Sequence, residues 1–551
     1  MRIFLVFSWL IISLLFLTTS SHAEETSADD LLDLLQGKHL ITPEKAAGLR
    51  GDMTRKESEQ RLEKLERHIE TLEQRLEESE RENTRLRAEK STIVPTGSQP
   101  DIKALDQKIK VLEQRVEAGE EFAAETAKKA PKIEAGSAGL RFSSADGAHV
   151  LNLRGSVQTD GKFFIDDKPD NKRTPEAGSN LTDRFELKQA RLRLEGTLFR
   201  YFDFKIMPDF GGNSGTRLYD AYLDTHYFSF ASLNVGKQKP PIILERLQGD
   251  NDFTFLERAY PTYLGPNRDV GIVLHGEFAR PGYKTVYTGS HVNFKNLFSY
   301  QLGVFNGVGD NGPLDQQTDF DDNKEFAGRI WAHPFQYSGV DILDGLGIGV
   351  SSSWGQPHTR RLTNLPSPNG QNTIVDYSKL GSGVTSLTAD GGDHTRVSPQ
   401  AYWYYGPFGL LGEYVVSSQE LLGKNASGES FIRQDNTAWQ VQASYVVTGE
   451  DNTFQSVTPR KNFDPRNGGW GALQLSARWT ELDIDDDTFA FLDPDRSVNH
   501  ARTWTVGANW FLNKATRLMA NYEETYFDGG AAGGGDRQTE KVFSTRLQLS
   551  F

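Results

Sequence analysis

The chain has 551 residues with 61 Lys and Arg against 75 Asp and Glu, a formal net charge of −14, and no cysteine. Without cysteine there is no disulfide scaffold, no thiol chemistry and no lipid anchor on an N-terminal cysteine, and the acidic balance argues against a nucleic-acid partner. Mean hydropathy is −0.54, and beyond the N-terminus no apolar run approaches the ~20 residues of a membrane helix, which leaves strands as the only route across a bilayer.

Arg2 precedes the apolar run Ile3 to Leu17, and Ser21-His22-Ala23 places small residues where a signal peptidase reads. Residues 1–23 read as a signal peptide cleaved after Ala23, with an uncleaved anchor helix as the alternative. Residues 24–60 hold short helical signals: amphipathic Asp29 to Leu35, then Thr42-Pro43-Glu44 with a capping threonine and a first-turn proline. Over 61–122 the seam Leu62, Leu65, Ile69, Leu72, Leu76 and Leu86 follows coiled-coil spacing. Ser91 to Pro100 interrupts it, and Ile102, Leu105, Ile109, Leu112 and Val116 continue it. Asn83 falls at a core position, where a polar residue fixes register and oligomer state. A single solvated helix is the alternative to self-association. Three such stalks under a trimeric barrel would raise one another's effective concentration. Residues 123–140, rich in Ala, Lys, Pro and Gly towards their end, read as a linker.

Residues 141–551 alternate with period two, the mark of strands with one apolar and one polar face. Ala190, Leu192, Leu194 and Leu198 alternate with Gln189, Arg191, Arg193 and Glu195; Phe202, Phe204 and Ile206 with Asp203 and Lys205; Tyr219, Ala221 and Leu223 with Asp220, Tyr222 and Asp224. Trp439 to Val447 and Leu473 to Trp479 repeat the pattern. One charged face and one aliphatic face suit a water-filled lumen inside lipid, whereas a barrel that filled itself would need apolar side chains on both faces. Tight connections at Arg200-Tyr201, Gly406-Pro407 and Asn513-Lys514 alternate with long polar ones at 166–183, 310–324, 356–395, 420–436 and 483–501. Short turns belong in the periplasm and long loops outside. The 411 residues from 141 accommodate sixteen strands at about 26 residues per strand and connection, with fourteen and eighteen as alternatives of the same parity. One connection fits badly: Thr448 to Gly469 stands where a periplasmic turn is expected, yet is long. On the final segment Phe543, Leu547, Leu549 and Phe551 face one way, and Ser544, Arg546, Gln548 and Ser550 the other. A chain ending on such a strand looks like a bacterial outer-membrane barrel. The expected fold is all-β: a 16-stranded antiparallel transmembrane β-barrel with an N-terminal α-helical coiled-coil extension.

Several stretches resemble the phosphate-selective porin O and P family: Gly449-Glu450 after Tyr445-Val446-Val447-Thr448, Val506-Gly507-Ala508-Asn509-Trp510-Phe511 with Asn521-Tyr522 after it, Phe305-Asn306-Gly307 and Leu256-Glu257-Arg258. The resemblance covers roughly 145 to 551. It implies a trimer of sixteen-stranded barrels, with the loop after the fifth strand, Lys239 to Asn267, folded into the pore. That loop carries Asp250, Asp252, Glu257, Arg246 and Arg258, with Phe253, Phe255, Tyr260 and Tyr263 to wedge it against the wall. An ordinary extracellular loop is the alternative. Phosphate-selective members line the pore with arginines and place a lysine at the throat; an arginine fork suits phosphate because it donates two charge-assisted hydrogen bonds. By resemblance the throat lysine becomes Arg246, an arginine twelve residues on is kept as Arg258, and the acidic residue facing the throat is kept as Asp220. The paired arginines of the second strand become Lys188 and Gln189, and the first-strand arginine becomes Ser156, so the ladder has lost members. Arg191 and Arg193 are additional basic residues, with Glu195 placed to offset one of them.

The candidate pore and anion-binding residues are therefore Arg246, Arg258, Asp220, Lys188, Arg191 and Arg193. A lumen arginine in a cross-strand ion pair that stiffens the wall is the competing reading for any one of them. No Gly-x-Ser-x-Gly elbow, His-Glu-x-x-His or phosphate loop occurs, and the eleven histidines have no ligand spacing, so no catalytic residue, metal or cofactor is expected. Acidic stretches such as Asp483 to Asp487 and Asp319 to Asp322 read as solvated loop tips, with Ca²⁺ binding or bridging of lipopolysaccharide as the alternative. The expected function is an outer-membrane porin for passive diffusion of small polar solutes, among them anions such as phosphate. The alternative is an envelope tether or adhesin with the barrel as anchor. Expected partners are outer-membrane lipid and lipopolysaccharide, two further copies in a homotrimer, small anionic or polar solutes, and a periplasmic partner of the coiled coil.

Overall fold

The computed structural model describes residues 129–136, 139–165, 181–212, 215–278, 296–312, 322–357 and 360–551, plus single helical residues at 107, 110, 111 and 114. The signal peptide over 1–23, the helical segment over 24–60 and, apart from those four residues, the coiled coil over 61–122 lie outside the described residues.

Period-two alternation becomes sixteen barrel strands. They are β1 (Val150–Ile165), β2 (Arg184–Leu198), β3 (Phe202–Asp209), β4 (Arg217–Phe228), β5 (Ala231–Gln238), β6 (Asp269–Phe278), β7 (Phe298–Phe305), β8 (Glu325–Ala332), β9 (Leu346–Gly355), β10 (His394–Tyr405), β11 (Phe408–Asn425), β12 (Gly428–Val446), β13 (Ala472–Asp483), β14 (Val498–Phe511), β15 (Thr516–Ala531) and β16 (Glu540–Ser550). Each pairs antiparallel with the next, and β16 pairs with β1 through Arg546 opposite Asp160, which closes the cylinder and removes every edge. The linker expected to run to 140 ends earlier. Lys132–Gly136 and Gly139–Ser143 form a hairpin that pairs onto the start of β1.

The outer face carries the apolar residues. On β16, Phe543, Leu547 and Leu549 are exposed while Ser544, Arg546 and Gln548 are buried inside. Exposed Phe199, Tyr201, Tyr227, Phe230, Tyr405 and Phe408 crowd the short-turn end, as an interfacial aromatic belt requires. The stretch 420–436 is not a long loop: β11 and β12 continue through it to a two-residue turn, so the polar run extends the wall. The connection from 447 to 471 is long and turns back into the barrel, with Phe454 and Val457 buried.

The interior differs from the expected open lumen. The wall is polar within, but its connections supply an apolar filling. Ile242 and Leu264 from the 239–268 loop, Leu365 and Val375 from the 356–393 connection, and Val415 and Leu482 from the wall share one buried cluster. Alternation along strands does not register this filling, because it arrives on loops. Among the described wall residues, β1 to β4 carry lumen-facing charged side chains that keep contact with solvent. Lys188, with 31% of its side chain exposed, Lys205 and Glu195 are among them.

Candidate functional site

The loop over 239–268 leaves β5 and turns inward. Ile242, Ile243, Leu244, Phe255, Leu256 and Leu264 are at most 1% exposed, so apolar burial drives the fold of this loop. Its short helical turn, Leu244–Leu247, presents Leu244 N to Glu413 Oε2 at 2.7 Å across the lumen. Glu245 accepts from Ala259 N at 2.8 Å and from Gln440 Nε2 at 3.1 Å. Of the four aromatic residues, Phe255 and Tyr260 meet the wall, Phe253 packs within the loop and Tyr263 meets the 356–393 connection. The Arg258 guanidinium sits 4.0 Å over Phe253, Arg478 4.5 Å over Phe255, Tyr260 Oη lies 2.9 Å from Thr503 Oγ1, and Tyr263 accepts from Gln371.

Three carboxylates of the loop meet wall cations: Glu245, 3.6 Å from Arg478 Nη1, and the two hubs Asp250 and Glu257. Asp250 is the larger hub. Oδ1 takes Arg258 Nη2 and lies 3.7 Å from Lys239 Nζ; Oδ2 takes Arg191 Nη1 and lies 3.2 Å from Arg268 Nη2. Arg191 Nε also donates to Asp209 at 2.7 Å, and Arg268 Nε to Asp220 at 3.2 Å, whose other oxygen is 2.8 Å from Lys205 Nζ. The network thus holds five cations (Arg191, Lys205, Lys239, Arg258, Arg268) against three carboxylates (Asp209, Asp220, Asp250). Burial pushes the Asp250 carboxyl up, but Arg191, Lys239, Arg268 and Arg258 outweigh it and hold it well below the usual carboxylate range. The second hub, Glu257, takes Lys188 and lies 3.5 Å from Lys162 and 3.7 Å from Arg546. Asp160, Glu186 and Glu257 bring three carboxylates together there, but Lys162, Lys188 and Arg546 already neutralise them, an arrangement that does not favour a metal ion.

Two β-bulges shape this wall. In β2 the register passes over Lys188, so Lys188 and Gln189 are consecutive residues facing the lumen. In β4 it passes over Tyr219, which corrects the expectation that Tyr219 faces lipid. Its ring lies in the lumen beneath Arg191 at 3.7 Å and Arg268 at 4.8 Å. A bulge inserts one residue and re-aims its neighbours. For β2 the sequence signal was present, since the outward apolar residues step from Leu187 to Ala190 rather than by two.

The six candidate residues part company. Arg191, Arg258 and Asp220 join the Asp250 network; Lys188 joins Glu257. Arg246 is 4% exposed and donates from Nη2 to Thr262 O at 2.8 Å, bracing the loop. Arg193 faces the lumen opposite Arg154, and Glu195 pairs with Arg154 at 3.0 Å, which corrects the expected offset of Arg191 or Arg193. Several other lumen arginines serve the loop backbone: Arg478 Nη1 donates to Glu257 O, and Arg517 to Phe253 O and Asn251 O. Sequence reasoning missed Lys239 and Arg268. They flank the loop, so inward folding brings both ends to one place on the wall.

The phosphate-selective porin O and P family model matches residues 157–551. Porin O of Pseudomonas aeruginosa is 22% identical over 446 residues, covering 75% of this chain and 91% of that protein. Among solved structures, the outer membrane channel DcaP of Acinetobacter baumannii is 14% identical with a TM-score of 0.43, over 75% of this chain and all of its own. OmpT of Vibrio cholerae is 12% identical with a TM-score of 0.43, over 73% of this chain and 98% of its own.

Proposed function

The chain belongs to the phosphate-selective porin O and P family and is an outer-membrane channel for passive diffusion rather than an enzyme; we propose that its constriction prefers small anions. The observation that carries this reading is the surplus of cations around Asp250 at the 239–268 loop. Solutes move down their gradient, and Arg258, Lys239 and the wall residues Lys188 and Arg193 replace part of an anion's hydration shell as it passes. Arginine forks suit an oxyanion because they donate two hydrogen bonds in one plane.

The preference we propose is for small polar anions in general, phosphate among them. At two positions where the resemblance implies arginine, Gln189 Nε2 donates to Ser156 Oγ, so that stretch of wall is neutral and paired with itself. The proposal extends to a homotrimer and to a periplasmic stalk formed by 61–122. Chemical cross-linking of the detergent-extracted protein tests the first, and its loss on deleting 61–122 tests the stalk's share in it.

Reversal potential across a planar bilayer under a potassium chloride gradient tests the ion preference. An anion-directed potential is expected, and Arg258→Glu should swing it toward cations. A cation-directed potential in the unaltered protein overturns the reading.

A further inference from the structure

Asp250 has more cations than a structural pin needs. Elsewhere the loop is held by Glu257 on Lys162 and Lys188, by Glu413 on the helical turn, and by Arg478 and Arg517 on backbone carbonyls. Asp250 adds a different geometry. Each of its two oxygens faces two cations, Arg258 and Lys239 on Oδ1, Arg191 and Arg268 on Oδ2. Four cationic donors converging on one pair of oxygens is the coordination a free oxyanion would take. The carboxylate is attached to the loop rather than to a solute. It is 8% exposed, whereas the Arg258 and Lys239 side chains are each 16% exposed, so the solvent-facing side of the cluster is its basic rim.

We propose that Asp250 is the resident occupant of an oxyanion site, its carboxylate filling the place where a small oxyanion of the phosphate class would otherwise lodge. The inference rests on the anion-preferring reading above and deepens it. With the centre occupied by a tethered carboxylate, a passing anion meets the rim but finds no vacancy, and transit is not slowed by tight binding. Conduction needs binding strong enough to admit a solute and weak enough to release it. Asp250 sets that balance and is a specificity-determining residue of this chain.

Chloride conductance of single channels, measured with inorganic phosphate added over the micromolar to millimolar range, tests the proposal on the full-length protein. Unaltered channels should show little block. Asp250→Asn should become sensitive to phosphate, with half-block at a concentration lower by about tenfold or more. Asp252→Asn removes the same charge two residues away; Asp252 makes no ion pair among the described residues. It should not create block, which separates occupancy of the centre from net loop charge. If Asp250→Asn does not insert, Asp250→Asn with Arg268→Gln restores the local net charge, leaves three cations about the vacated centre and should again create phosphate block. Equal phosphate sensitivity of the unaltered protein and these Asp250 variants, or equal block by the Asp252 variant, overturns the proposal. A cation-directed reversal potential in the unaltered channel would instead sink the anion-preferring reading, while the comparison of block still judges the occupancy of the centre.

Discussion

Asp160 on β1 and Arg546 on β16 face each other across the seam where the barrel closes, joined by two parallel hydrogen bonds of 2.6 Å. Both side chains are almost wholly buried, and Arg546 lies 3.7 Å from Glu257, so the pair also touches the constriction loop. Removing one partner leaves an uncompensated buried charge, which costs about 3–5 kcal/mol, whereas replacing both by apolar groups is often neutral. Arg546→Leu should therefore destabilise the barrel by roughly that amount, and Asp160→Leu with Arg546→Leu by much less. Urea unfolding in detergent, followed by circular dichroism, gives both values. Equal losses in the single and double variants would show that the pair is not coupled.

The structure separates two arginines that the sequence placed together at the throat. Arg246 spends a buried guanidinium on Thr262 O inside the loop, while Arg258 reaches Asp250 at the solvent-facing rim. Arg258→Gln should move the reversal potential toward cations with single-channel conductance kept within about twofold, because it removes one charge from a partly exposed rim. Arg246→Gln should leave the reversal potential nearly unchanged and instead increase open-channel current noise, because it loosens the Leu244–Leu247 turn from Tyr260–Leu264. Matching shifts in reversal potential from the two variants would refute this division of roles.

Most of the wall was legible because lipid and water impose a period of two on every strand that separates them. Leu547 and Leu549 could only face out, and Arg546 and Gln548 only in. Pairing across the closure was not legible: Asp160 and Arg546 are 386 residues apart, and only the register of β16 on β1 brings them together. The apolar filling was hidden for a different reason. Leu365 and Val375 lie in a polar, glycine- and asparagine-rich connection, and loop burial has no periodicity to read. The constriction loop was placed by family resemblance. Its partners could have been approached from Lys239 and Arg268, basic residues at the two ends of a segment expected to fold inward.

Gln248 on the constriction loop donates to Phe454 O at 2.7 Å and to Asp252 O at 3.1 Å. Phe454 belongs to the 447–471 connection at the opposite end of the barrel, so connections from the two ends meet inside it. Phe454 also stacks on Tyr402 at 5.2 Å, which fixes the turn to the wall. Gln248→Ala leaves the Phe454 carbonyl buried without its donor, a loss of about 1–3 kcal/mol confined to this contact. Limited proteolysis should then cut the 447–471 connection faster than in the unaltered protein, with barrel unfolding little changed. Unaltered cleavage would show that the turn's other contacts, among them Phe454 on Tyr402 and Asn452 N on Gly406 O, hold it without Gln248.

Acid should release the loop only at extreme pH. Glu257 lies on the loop rather than on a membrane-crossing strand. Burial raises its carboxyl, but the Lys188, Lys162 and Arg546 charges more than reverse this and bring it down to about 2. A carboxyl lowered in the folded state stabilises fully above its unfolded value, near 4.3, and loses that contribution as pH falls toward 2. The Lys188 side of the contact is partly exposed, so screening by salt trims its strength. Conductance should therefore stay constant from pH 7 to about pH 4.5, drift below that, and change most between about pH 4 and 2 as Glu257 protonates and its grip on Lys162 and Lys188 is lost. Glu257→Gln should show the loosened state already at pH 7, as noisier channels with no further change in this acid window. An acid transition of the same size in Glu257→Gln would assign the window to another carboxylate.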